Sequence, residues 1–195
     1  MRKIRRAALA VVAFVGLVTL LVDARQADSP ASDGPQFTSD HRMLRPQHYR
    51  EWIYLSSGLG MSYSPPASGD EKPPFDNVFV NPSAYRSFVA TGTWPDRTVF
   101  ILEIRTAQSK GSINQAGRFQ GALEDVEVHV KDSRLPGKWA FFAFPASAQS
   151  APAIPEQASC YSCHQQHGAV DTTFVQFYPT LLEIAKSKGT LKQSY

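Results

Sequence analysis

The chain has 195 residues, 43% of them hydrophobic, with 20 Lys and Arg against 17 Asp and Glu. Four of the basic residues and one acidic residue fall in residues 1–24; the remainder carries 16 of each, with no net charge. That balance, with no basic stripe, leaves nucleic-acid binding without support, and the length fits one ordinary domain with a real core.

Residues 1–24 read as a secretory signal. Arg2, Lys3, Arg5 and Arg6 precede an unbroken apolar run from Ala7 to Val22, and Val22-Asp23-Ala24 has the small residues of a cleavage site. An uncleaved membrane anchor is the alternative; the run is slightly short for a full span. Either way the expected location is periplasmic or otherwise exported. Residues 25–45 are polar, rich in Ser, Asp, Gly and Pro, and read as a flexible leader. The domain proper is expected over 46–195.

Residues 49–55 are rich in β-formers and read as a first strand, followed by a Gly/Ser/Pro loop over 56–74. Residues 75–80 form a short second strand. Asn81 and Pro82 then open a helix with Tyr85, Phe88 and Val89 on its apolar face; Gly92 ends it and Pro95 prevents continuation. Residues 97–106 are apolar on both faces and read as a central strand. A polar turn over 108–117 leads to a strand over 119–131, where Val126, Val128 and Val130 alternate with Glu127, His129 and Lys131. A turn at 132–137 precedes a last strand over 139–144. All 14 prolines lie after residue 24, which adds to the loop-rich, β-leaning character.

A Pro/Ala/Ser connector over 145–158 leads to Cys160-Tyr161-Ser162-Cys163-His164. This is C-x-x-C-H, the attachment pattern of a c-type haem. Two thiols one helical turn apart suit the two vinyl groups of a porphyrin, and the following histidine suits the proximal position on iron. Half a zinc site, a redox pair or a plain disulfide are the other readings of two such cysteines. Asp171 is expected to cap a turn carrying Phe174 and Phe177, and Pro179 to start a final helix with Leu181, Leu182 and Ile184. The expected fold class is mainly β (α+β): an antiparallel sheet with an inserted helix and a C-terminal helical haem-binding segment.

Tyr49-Arg50-Glu51-Trp52, Asn77-Val78-Phe79-Val80 with Pro82 and Tyr85, Trp139-Ala140-Phe141-Phe142, and the run from Cys160 to Pro179 together resemble the cytochrome P-460 family, which includes the cytochromes c'-beta. The resemblance covers about residues 49–182. It implies one covalent haem c, with thioethers to Cys160 and Cys163 and iron on His164, in a protein that is usually a homodimer. Within that family, hydroxylamine-oxidising members carry a lysine linked to the porphyrin, whereas members of the c'-beta type lack the link and bind nitric oxide or similar small nitrogen-oxide ligands.

The strand over 97–106 has no lysine; Leu102 and Glu103 stand where one is sought, and Lys110 is the nearest candidate. Glu127 is a candidate proton acceptor near the iron. Lys110 and Glu127 each have the plainer reading of a solvated surface residue. For an apolar wall opposite the proximal ligand, Phe100, Phe119, Phe141, Phe142 and Phe144 are candidates. His41, His48, His129, His167, Met43 and Met61 are chemically able to supply a sixth ligand and make an electron-transfer cytochrome served by a redox partner protein. The resemblance implies, as the favoured reading, a five-coordinate haem protein that binds a small gaseous or nitrogen-oxide ligand, with hydroxylamine oxidation as the enzymatic alternative.

Overall fold

A computed structural model describes residues 32–61, 73–145 and 147–195. The signal read at 1–24, the first part of the leader and most of the loop at 56–74 lie outside these residues. The elements are β1 (Met43–Leu44), a 3-10 turn (Tyr49–Glu51), β2 (Ile53–Leu59), β3 (Phe75–Val80), α1 (Pro82–Thr91), β4 (Thr98–Gln108), β5 (Phe119–Lys131), β6 (Trp139–Pro145) and β7 (Ser150–Ala151). They are followed by α2 (Ser159–His167), a 3-10 turn (Val175–Phe177) and α3 (Pro179–Lys188). β2 to β6 form one five-stranded antiparallel sheet in chain order, with α1 inserted between β3 and β4. This is the mainly β, α+β fold that the sequence predicts.

Alternation along each strand gives the sheet two faces, each with its own core. On the front face Leu55, Val80 and Phe100 pack under Phe88, Trp94, Tyr178 and Leu181, so α1 and α3 lie on that side. On the back, Val99, Ile101, Val126, Val128, Val130, Phe142 and Phe144 pack with Met43 and Tyr49. Full burial of each such large side chain contributes roughly 1.5–3 kcal/mol, so two faces rather than one stabilise the sheet.

The structure differs from the sequence reading at three places. Residues 49–51 turn before the first strand, which begins at Ile53 and runs on to Leu59. The described part of the expected leader, residues 32–45, is bound to the domain. Met43 is fully buried on the back face, and β1 pairs with β7, which the sequence reading left in a connector. Asp33 accepts hydrogen bonds from Ser83 N and Ser83 Oγ, both at 2.7 Å, and so satisfies the first turn of α1. Asn81, expected to cap that helix through its side chain, instead accepts from Val99 N at 2.8 Å and donates to the Arg97 carbonyl at 3.2 Å. Gly92 does end α1, with φ of 76°.

Glu103 is among the charged groups buried in this frame. The Glu103 carboxylate accepts from the Tyr49 hydroxyl at 2.5 Å, from Arg50 Nε at 2.9 Å and from Arg105 Nε at 2.5 Å. Two guanidinium groups and a phenol offset the cost of removing that charge from water. Burial, and after it the bond to Glu103, raises the Tyr49 pKa.

Candidate functional site

α2 places Cys160 and Cys163 three residues apart, one helical turn, with His164 directly after them. Both thiols are free and half-buried. The Tyr161 hydroxyl holds the helix against β6: it donates to the Ile154 carbonyl at 2.9 Å and accepts from Phe141 N at 3.4 Å. At the end of α2, Gly168 is required by close approach. A Cβ there would lie 2.7 Å from the His164 carbonyl oxygen and from the backbone of Thr172 and Thr173.

That approach brings the chain back onto His164. His164 Nδ1 lies 2.8 Å from the Thr172 carbonyl oxygen. A carbonyl only accepts, so the ring proton sits on Nδ1 and Nε2 keeps its lone pair. Burial lowers the His164 pKa, against a smaller upward push from the Thr172 carbonyl, which keeps the ring neutral. Phe174, Phe141 and His129 surround it, with ring centroids at 4.2, 4.7 and 4.9 Å.

His164 lines a cleft with about 1050 Å³ of empty space, part of it open to solvent. Its floor is the front face of the sheet, and the strand register arranges that floor in rows about 7 Å apart. The row beside His164 is Phe100, His129 and Phe141. The next is Ser56, Val78, Leu102 and Glu127, each paired to its neighbour across a ladder. The third brings Gly58 against Asp76, with Asp125 further along. Phe174, Phe177 and Tyr178 form the wall and Met61 a further edge.

The floor therefore changes from an aromatic row, through a mixed row in which Val78 and Leu102 lie beside Glu127, to Asp76. Burial, then the charges of Asp125 and Asp76, raise the Glu127 pKa; burial raises that of Asp76. The Glu127 residue keeps contact with solvent even though its carboxyl is crowded by protein. Burial also pushes the Cys160 thiol up.

Two free thiols one turn apart, a neutral imidazole with an unprotonated Nε2, and a wide cleft with apolar walls fit a flat, apolar, iron-bearing macrocycle. Residues 46–175 match the sequence model of the family described as Cytochrome P460. The chain belongs to that family. It is a haem-binding cytochrome, and the match takes in α2, His164 and Thr172. No curated protein matches the chain.

The other residues singled out by sequence are scattered. Of the five phenylalanines, Phe100 and Phe141 line the cleft. Phe142 and Phe144 belong to the back core, because they stand one and three residues from Phe141 along β6 and so point to the opposite face. Phe119 is 38% exposed at the far end of β5. Lys110 is exposed in the loop after β4. At ~3.3 Å per residue, the end of β4 lies about 20 Å from Leu102, and Lys110 lies beyond it. Glu127 is in the cleft, on the same face as His129.

Among the histidines and methionines, His41, His48 and His167 are exposed, and Met43 is buried on the back face. Met61 edges the cleft, and His129 lies against His164 itself. Asp171 does not cap the turn over Val175–Phe177; it adopts φ of 52° and pairs with Lys131 Nζ at 3.0 Å. Sequence reasoning missed Thr172. Its contribution is a backbone carbonyl, which has no side-chain signature.

Proposed function

We propose that this cytochrome is an exported haem c protein that binds a small, neutral nitrogen-oxide ligand such as nitric oxide. Cys160 and Cys163 would hold the haem by thioethers and His164 Nε2 would hold the iron. The haem, when bound, supplies one open coordination position for the ligand. The observation that carries the reading is the His164–Thr172 bond at 2.8 Å, which fixes the imidazole as a neutral donor beside a cleft floored by Val78, Phe100 and Leu102. Those side chains give an incoming ligand no strong hydrogen-bond donor, which suits a neutral diatomic better than an anion. The basic start and the apolar run at residues 7–22 support export, the setting in which a c-type haem is attached.

The test is anaerobic titration of the ferrous protein with nitric oxide. Stoichiometric formation of a nitrosyl absorption spectrum is expected, together with a mass that includes one covalent haem. No spectral change on titration would overturn the reading.

One observation favours hydroxylamine oxidation as a second reading: Glu127, a carboxyl with a raised pKa, stands in the cleft where a proton acceptor is needed. No lysine is present among the described residues that line the cleft, so this reading does not rest on Lys110. Turnover of hydroxylamine with an electron acceptor, lost in Glu127→Gln, would establish it.

A further inference from the structure

Three consecutive residues after α2 are each tied to the body of the domain by a different distant side chain. Asp171 Oδ2 accepts from Lys131 Nζ at 3.0 Å. Thr172 Oγ1 lies 3.2 Å from His129 Nε2. Thr173 Oγ1 accepts from Trp94 Nε1 at 2.8 Å. The middle member also holds the ligand histidine, through its carbonyl at 2.8 Å from His164 Nδ1. One threonine is thus gripped by two imidazoles, one on its side chain and one on its backbone.

His129 is itself immobilised. It is 8% exposed and stacks flat on Phe141, with centroids 4.0 Å apart and planes 10° apart. Trp139 covers it at 4.4 Å, and Phe100 lies 6.3 Å away. A buried imidazole is costly unless it is hydrogen-bonded, and Thr172 Oγ1 is the partner the fold provides. The neighbouring front-face position on β5, Lys131, also reaches this segment, so β5 docks residues 171 and 172 side by side.

We propose that His129 is a positioning residue for His164, acting through Thr172. It holds the Thr172 side chain, which keeps the Thr172 carbonyl aimed at His164 Nδ1. A firm Nδ1–H to carbonyl bond makes the imidazole a more basic ligand and favours the ferric state of the iron it holds. The inference rests on the assignment of His164 as iron ligand.

The test uses the haem-loaded protein and three variants: His129→Phe, which keeps the stacked ring but removes both nitrogens; Thr172→Val, which removes Oγ1 but keeps the shape; and the double variant. The readouts are the haem midpoint potential and the iron–histidine stretching band of the ferrous form. Each single variant is expected to shift the ferric–ferrous equilibrium about tenfold toward ferrous, ~59 mV for one electron, and to lower the stretching frequency. The double variant is expected to show no further shift, because both substitutions break one connection.

Unchanged potential and stretch in the single variants, or shifts that add in the double variant, would overturn the proposal. Should His129→Phe not fold, the Thr172→Val values decide alone: no shift there overturns it. An iron–histidine band missing from the wild-type protein would instead count against the assignment of His164, so the two failures are distinguishable.

Discussion

Leu102 and Glu127 are direct partners across the β4–β5 ladder, and both line the cleft that contains His164. An apolar side chain thus lies beside a carboxyl whose other neighbours, Asp76 and Asp125, carry the same charge. Both the crowding and the like charges disfavour the ionised form.

The sign of the pH effect follows from that. Glu127 has a folded pKa raised above its unfolded value, so the fold prefers the protonated form. The penalty is absent below the unfolded pKa and develops as pH rises through the folded value. Glu127→Gln is expected to melt slightly higher than wild type at pH 7, with the gap closing as pH falls toward the ordinary glutamate range. Melting curves of both proteins across pH 4–8 check this; a variant less stable than wild type at pH 7 would show that the carboxylate makes a favourable contact.

The Glu103 carboxylate has the opposite character, enclosed by Arg50, Arg105 and Tyr49. Removing it strips the partly buried Arg105 of its carboxylate, while Arg105 Nη1 keeps its bond to the Gly121 carbonyl. Glu103→Leu is expected to cost on the order of 3 kcal/mol, the low end for a broken buried pair because Arg50 is half in water. Denaturant unfolding measures it. A cost below about 1 kcal/mol would mean that the network contributes specificity and little stability.

Trp94 joins the front core to the segment after α2. It packs on Phe88 at 4.0 Å and on Phe100 at 4.6 Å, and bonds Thr173. Trp94→Phe keeps most of the packing and is expected to cost about 1 kcal/mol from the lost hydrogen bond; Trp94→Ala is expected to cost about 3–5 kcal/mol. Equal losses in the two variants, measured by urea unfolding, would contradict this division.

Much of the fold was legible from sequence because periodicity and turn residues agree with it. The Val126, Val128, Val130 alternation set β5 and put Glu127 and His129 on one face. Asn81-Pro82 and Gly92 bracketed α1. The phenylalanines were less informative, because composition names a ring without naming its face: Phe141 and Phe142 are neighbours in the chain and opposite in the sheet. Asp33 on α1 and β1 on β7 were invisible because they depend on partners far along the chain. The thiols and His164 had a spacing to announce them, whereas the Thr172 carbonyl had nothing.

Lys110 lies outside the cleft, so Lys110→Ala is expected to leave the absorption spectrum and ligand affinity of the haem-loaded protein unchanged. A displaced main band in that variant would bring the loop after β4 into the site. Cys160→Ser, in contrast, is expected to reduce the covalent links to one, read as altered pyridine haemochrome absorption.

The most direct test of the account is an absorption spectrum of the purified ferrous protein before and after carbon monoxide. With iron on His164 and an open position opposite, a high-spin haem c spectrum is expected that converts fully to a carbonyl form. A low-spin spectrum that carbon monoxide leaves unchanged would show that a side chain of the protein, with Met61 the first to examine, closes the sixth position and that the protein carries electrons instead.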